Sequence, residues 1–194
     1  MPLLLNTLIL TSLVSTLIIS DVPQRVIESP QKKSSISANN QSGYIALRLL
    51  LEDEQYLTAI RRTRMIVTFT GINETSSELI DDISDSSAVA IDKLKLLADE
   101  KPTILFYDLE NNSIEKSTLD SLRMTTAKEF IFDGGNFETN ILLSQLKVLR
   151  LISHLAVQLK EIEPNAKRRA WLSELAEQYE NYYQRTKMRF SLNN

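Results

Sequence analysis

The chain has 194 residues, 43% of them apolar, with four glycines and five prolines. That is enough apolar material for one core and too few turn-formers for a β-sandwich, which needs a turn every ten residues or so. A net charge of −3 gives no electrostatic footprint for nucleic acid, and the lack of cysteine excludes disulfides, thiolate metal sites and lipid attachment at a thiol.

Pro2 to Ser20 carries no charge and reads as a signal-peptide core or short membrane anchor. It predicts an exported, periplasmic or envelope-associated protein, with membrane attachment through residues 2–20 if the run is retained. Arg25, Lys32 and Lys33 follow it, and an uncleaved run followed by cations favours a cytoplasmic domain. Residues 21–43 are polar, with proline and serine clusters, and read as a flexible linker.

From Tyr44 the apolar residues recur at helical spacing, and residues 44–194 form the expected domain. A first helix over about 44–70 places Leu50, Leu57, Ile60 and Val67 on one face and stops at Gly71. A second starts at Thr75-Ser76-Ser77-Glu78, which has the form of a capping box. Its face is Ile80, Ile83, Ser87, Ile91, Leu94 and Ala98, and Lys101-Pro102 ends it. Residues 102–116 form a crossover. Ser117 or Asp120 caps a short helix over about 118–132, with Leu119, Leu122, Ala127 and Phe130 inward. Asp133-Gly134-Gly135-Asn136 breaks the chain again.

The next helix, 137–162, is the most apolar. Ile141, Val148, Ile152, Leu155, Leu159 and Ile162 share one face, and Leu142, Leu146, Leu149 and Ala156 widen it beyond what one partner helix covers. A central position, or a contact with a protein partner or a second copy, is expected for it. Glu163-Pro164-Asn165 turns into a last helix over about 166–190, burying Leu172, Leu175, Ala176, Tyr179, Tyr183 and Phe190. Four long helices with one longer crossover predict an all-α four-helix bundle of up-and-down topology. Residues 71–140 hold 6 Lys and Arg against 15 Asp and Glu, and residues 141–194 hold 9 against 5. Acidic and basic helices lying side by side, or a basic C-terminal docking surface, account for that split.

No chemical constellation stands out. His154, the only histidine, shares the polar side of its helix with Lys147, Arg150 and Glu161 and reads as a solvated surface residue. The Glu-x-x-His motif of bundle di-iron sites is missing, since Leu151 stands three before His154. Asp53 projects near the apolar face of the first helix, and Arg64 on nearly the same face is its expected partner. No metal, cofactor or catalytic residue is therefore assigned. Trp171, Tyr179, Tyr182 and Tyr183 cluster on the last helix. They are expected to fill core, with a ligand pocket near Trp171, Tyr179 and Tyr183 as the alternative. The triplets at Asn40, Asn73 and Asn111 match a glycosylation pattern but occur at about the frequency chance supplies.

Three stretches carry a resemblance over residues 44–190: Leu94-Lys95-Leu96-Leu97-Ala98-Asp99-Glu100-Lys101-Pro102, Gly135-Asn136-Phe137-Glu138-Thr139-Asn140-Ile141, and Glu163-Pro164-Asn165-Ala166-Lys167. Their order and spacing resemble a bacterial envelope family of unknown function, often labelled as outer-membrane proteins, whose fold is a ferritin-like four-helix bundle. The resemblance implies that fold and an envelope location. Ser87 and Leu149 stand where that family tends to place histidines, so no metal or ligand role for those positions carries over. The reading that follows is a non-catalytic exported bundle acting through a partner or through self-association. A small-ligand binding or sensing bundle is the alternative, and a ferritin-like metal enzyme is third.

Overall fold

The computed structural model describes residues 38–106, 113–132 and 135–192, and these are all-helical. Among the described residues six helices follow one another: α1 Ala38–Glu54, α2 Leu57–Thr68, α3 Glu74–Ala98, α4 Ser113–Phe132, α5 Phe137–Ile162 and α6 Ala166–Leu192. The uncharged run 2–20 and most of the expected linker lie outside the described residues.

The first expected helix differs in two ways. It begins at Ala38, inside the stretch read as linker, and it is interrupted at Gln55–Tyr56. The early start has a packing reason. Asn40 Nδ2 donates to the Ile162 carbonyl (3.1 Å) and Gln41 Oε1 accepts from the Leu105 amide (3.1 Å), so polar residues here serve as ties between segments. Gly43 lets α1 approach α5 closely, since a Cβ added there meets Leu159 Cδ2 at 2.6 Å. At the interruption, Ser84 Oγ donates to the Gln55 carbonyl (2.6 Å), a side-chain insertion of the sort that bends helices.

The capping box is displaced. α3 starts at Glu74, and its cap is Asn73, whose side chain accepts from the Thr75 amide at 2.9 Å. The reciprocal carboxylate comes from another helix, not from Glu78. Glu138 of α5 accepts from the Asn73 amide (3.1 Å) and from Ser76 Oγ (2.6 Å). The predicted face of α3 is sound throughout, because Ile80, Ile83, Ser87, Ile91, Leu94 and Ala98 are all buried.

α5 is central. It packs along α6 over most of its length and also touches α1 and α4. Its buried face is Ile141, Leu142, Gln145, Leu149, Ile152, Ser153, Ala156 and Leu159, turned from the expected one. Val148 and Leu155 are half-buried and Ile162 is exposed. By length and composition α5 is long and apolar enough to cross a membrane, and in the fold it buries Ile141, Leu142, Leu149, Ile152 and Leu159 while Leu143, Leu151 and Val157 stay exposed.

α4 departs most from expectation. It starts at Ser113, so Ser117 lies inside it, donating to the Ile114 carbonyl rather than capping. Leu119, Ala127 and Phe130 are only half-buried, and Leu122, expected inward, is 61% exposed. α4 rests mainly on α2, a short helix that covers only part of it. The acidic–basic split resolves into pairs between helices: Arg185–Asp82 at 2.8 Å, and Lys167 with Glu100 beside the α5–α6 turn.

Candidate functional site

The aromatic residues of α6 do not gather round one cavity. Tyr179 is fully buried, and its hydroxyl shares a 2.6 Å hydrogen bond with Ser87 Oγ, which also donates to the Ile83 carbonyl. Tyr182 meets Tyr179 edge to face at 5.9 Å, and its hydroxyl bonds Ser86 Oγ. Trp171 packs in the core two turns earlier. Tyr183 is half-buried under Arg150, which stacks on the ring at 5.0 Å and donates to its hydroxyl at 2.9 Å. His154 is exposed on the polar side of α5, as its spacing indicates.

Two grooves lie elsewhere, and neither is lined by Trp171, Tyr179 or Tyr183. One of about 290 Å³ runs between α4 and α5, bordered by Arg64, Phe130, Phe137, Asn140, Leu143 and Lys147. The other, about 190 Å³, is lined by Arg48, Glu52, Phe106, Lys116, Leu119 and Arg123. The expected Asp53–Arg64 pair does not form, because the break at residues 55–56 separates the two. Asp53 pairs instead with Arg123 of α4. Arg64 donates to the carbonyls of Phe130 (2.8 Å) and Ile131 (3.0 Å) and lies 4.5 Å over the Phe137 ring. It thereby satisfies carbonyls that the end of α4 leaves open.

Two groups of buried polar side chains lie inside the fold. At the α5–α6 turn, Glu163 and Arg168 form a fully buried ion pair at 2.9 Å. Tyr44 donates to Glu163 Oε2 at 2.6 Å, and Arg168 also donates to the carbonyls of Leu97, Glu100 and Pro102. Burial pushes the Tyr44 hydroxyl well above its ordinary range, and the neighbouring Glu163 carboxylate adds to the effect. This network ties α1, the end of α3 and the start of α6 together without presenting any group to solvent. A second buried pair is Glu54 with Gln145. Its Gln145 Nε2 to Glu54 Oε1 hydrogen bond is 3.4 Å long. Burial raises the Glu54 carboxyl to about 8. Among the described residues no group of three or more His, Asp or Glu side chains is placed to hold a metal.

Compared with known protein families, curated proteins and solved structures, the chain matches none. The most unusual surface lies at the end of α2, where Met65, Ile66 and Val67 are exposed and Phe69 is 92% exposed. Phe69 also caps α2 in the left-handed region, with φ of 54°. That position usually takes glycine, because a Cβ in this conformation costs about 1–2 kcal/mol. Phe132, exposed at the end of α4, lies at the same end of the molecule, since Arg64 joins the two helix ends. The sequence signal for this tip was the run Met65-Ile66-Val67-Thr68-Phe69. Its four apolar residues in five exceed what one helix face can bury, and of them only Val67 falls on the apolar face expected for the first helix.

Proposed function

We propose that this chain is a non-catalytic, exported helical-bundle protein that acts by docking an apolar tip against a partner protein or a second copy of itself. The observation that carries the reading is Phe69: a large aromatic, almost fully exposed, held in a backbone conformation that disfavours it. Soluble monomers rarely expose large contiguous apolar patches, and such patches mark contact sites. Strained residues persist where the surrounding structure and function demand them. α5 contributes a second, more scattered set of exposed apolar residues, Leu143, Leu151 and Val157, so a contact through helix 137–162 belongs to the same reading.

Within this reading α1 and α2 count as one interrupted helix beside α3, α5 and α6. The whole is then a ferritin-like four-helix bundle with residues 99–136 as its long crossover. The uncharged run 2–20 supports export, and the resemblance of residues 44–190 to an envelope family supports the location.

The test is sedimentation of the full chain over a range of concentrations, paired with a photo-crosslinking residue at position 69 in native cells. Concentration-dependent assembly, weakened at least tenfold by Phe69→Ser with helicity unchanged, is expected if the occupant is a second copy. A single discrete crosslink from position 69 is expected if it is a partner. A monomer at every concentration that also gives no crosslink from position 69 overturns the reading.

A further inference from the structure

Two buried oxygens in the middle of the fold lack a hydrogen. Glu54, the last residue of α1, and Gln145, about a third of the way along α5, are both closed off from solvent. Gln145 Nε2 donates to Glu54 Oε1, while Glu54 Oε2 and Gln145 Oε1 have no hydrogen-bond partner. Both orphans are acceptors when the carboxyl is ionised, so neither can satisfy the other. One proton on Glu54 Oε2 removes both vacancies. The acid can then donate to the amide oxygen while the amide nitrogen donates to the other carboxyl oxygen, a cyclic pair in which neither oxygen is left unpaired.

We propose that Glu54 is carried in the folded protein as a neutral carboxylic acid paired with the Gln145 carboxamide, and that this proton is a pH-sensitive clasp seating the α1–α2 junction against α5. The position suits such a role. Glu54 immediately precedes the Gln55–Tyr56 break, where α1 gives way to α2, and Ser84 of α3 holds the Gln55 carbonyl.

The surroundings favour the neutral form. Desolvation is the dominant influence on Glu54, the Gln145 hydrogen bond opposes it, and the Asp53 carboxylate on the same helix adds to it. On α6 the titratable neighbour is Tyr179, whose own hydroxyl is pushed up by burial and by the presence of Glu54. α3 brings the Ser84 and Ser87 hydroxyls into this layer, and α5 brings Gln145.

The sign of the pH effect follows directly. The unfolded carboxyl titrates near its ordinary 4.5 and the folded one near 8, so between those values the folded state binds one proton more. Stability from this group is full below about 4.5 and is lost progressively as pH rises to about 8.

The experiment is urea unfolding of the full chain across this window, for the wild type and for Glu54→Gln, which keeps the hydrogen-bonded pair and removes the titration. The wild-type unfolding constant should rise relative to the variant by as much as about tenfold per pH unit. Parallel pH profiles for the two proteins overturn the clasp. Should the variant not fold, carbon NMR of wild-type protein labelled at glutamate carboxyls gives the answer directly. One glutamate should keep a protonated signal at neutral pH and titrate near 8. Glutamates that are all ionised at neutral pH in the folded chain overturn it equally.

Discussion

Along α6, Arg168, Trp171, Leu172, Leu175, Ala176, Tyr179, Tyr182 and Thr186 recur at intervals of one to four residues on one side, and every one is buried. Along α4, Ile114, Leu119, Leu122, Met124, Phe130 and Phe132 wander round the helix, and none is fully buried. Yet α6 is the more polar of the two helices by composition. The contrast shows that burial follows the register of apolar positions, not their number. A helix may be rich in charge and still hold the core, provided its apolar residues stay on one stripe. An apolar helix without that stripe is left on the surface, where its side chains are available to something else.

The largest effect that sharpens this contrast is expected at Arg168. Arg168→Ala leaves Glu163 as an uncompensated buried charge and orphans three carbonyls, and breaking a buried pair in this way costs about 3–5 kcal/mol. Denaturant unfolding measures it, and a loss under about 1 kcal/mol shows that the α5–α6 turn is open to water. Next comes a matched pair. Leu149→Ala, at a fully buried position of α5, should cost about 2–5 kcal/mol. Leu122→Ala, on α4, should cost far less because its side chain is already in solvent. Equal losses at the two sites erase the distinction between the helices. Leu155→Ala, at a half-buried position, falls between them. The smallest effect is at His154, exposed on the polar side of α5, where His154→Ala should stay within about ±0.5 kcal/mol.

The helical class was legible because it rests on repetition. α3, α5 and α6 each contain six or more turns, and a stripe that long averages out any single misplaced residue. On α3 all six positions of the expected face are buried, and Ser76, Leu79, Ser84, Ala90 and Leu97 widen it. What escaped was whatever depends on a residue from another segment. The break after Glu54 is accompanied by a serine 29 residues further along, and nothing local marks it. The cap of α3 was misplaced because its carboxylate lies on α5. Arg168 reads in sequence as one cation among several at the start of a basic helix, and only the fold reveals it as the centre of a buried network. Glu54 and Gln145 gave no signal, since each looks like an ordinary polar residue flanking an apolar stripe. The exposed tip at Phe69 was half visible, as a run too apolar for one face.

The hydrogen bond from Tyr44 to Glu163 spans 119 residues of sequence, and that separation bears on how the chain acquires its structure as it is made. α1 packs against both α3 and α5, so its face of Tyr44, Leu47 and Leu51 lacks part of its final cover until α5 and the turn after it have been synthesised. At about 5–20 residues per second that interval lasts many seconds, far longer than a helix takes to form. The nascent segment must therefore wait with part of its apolar surface uncovered. A pause or truncation anywhere before residue 168 leaves it in that condition, a natural target for chaperones and for proteolysis.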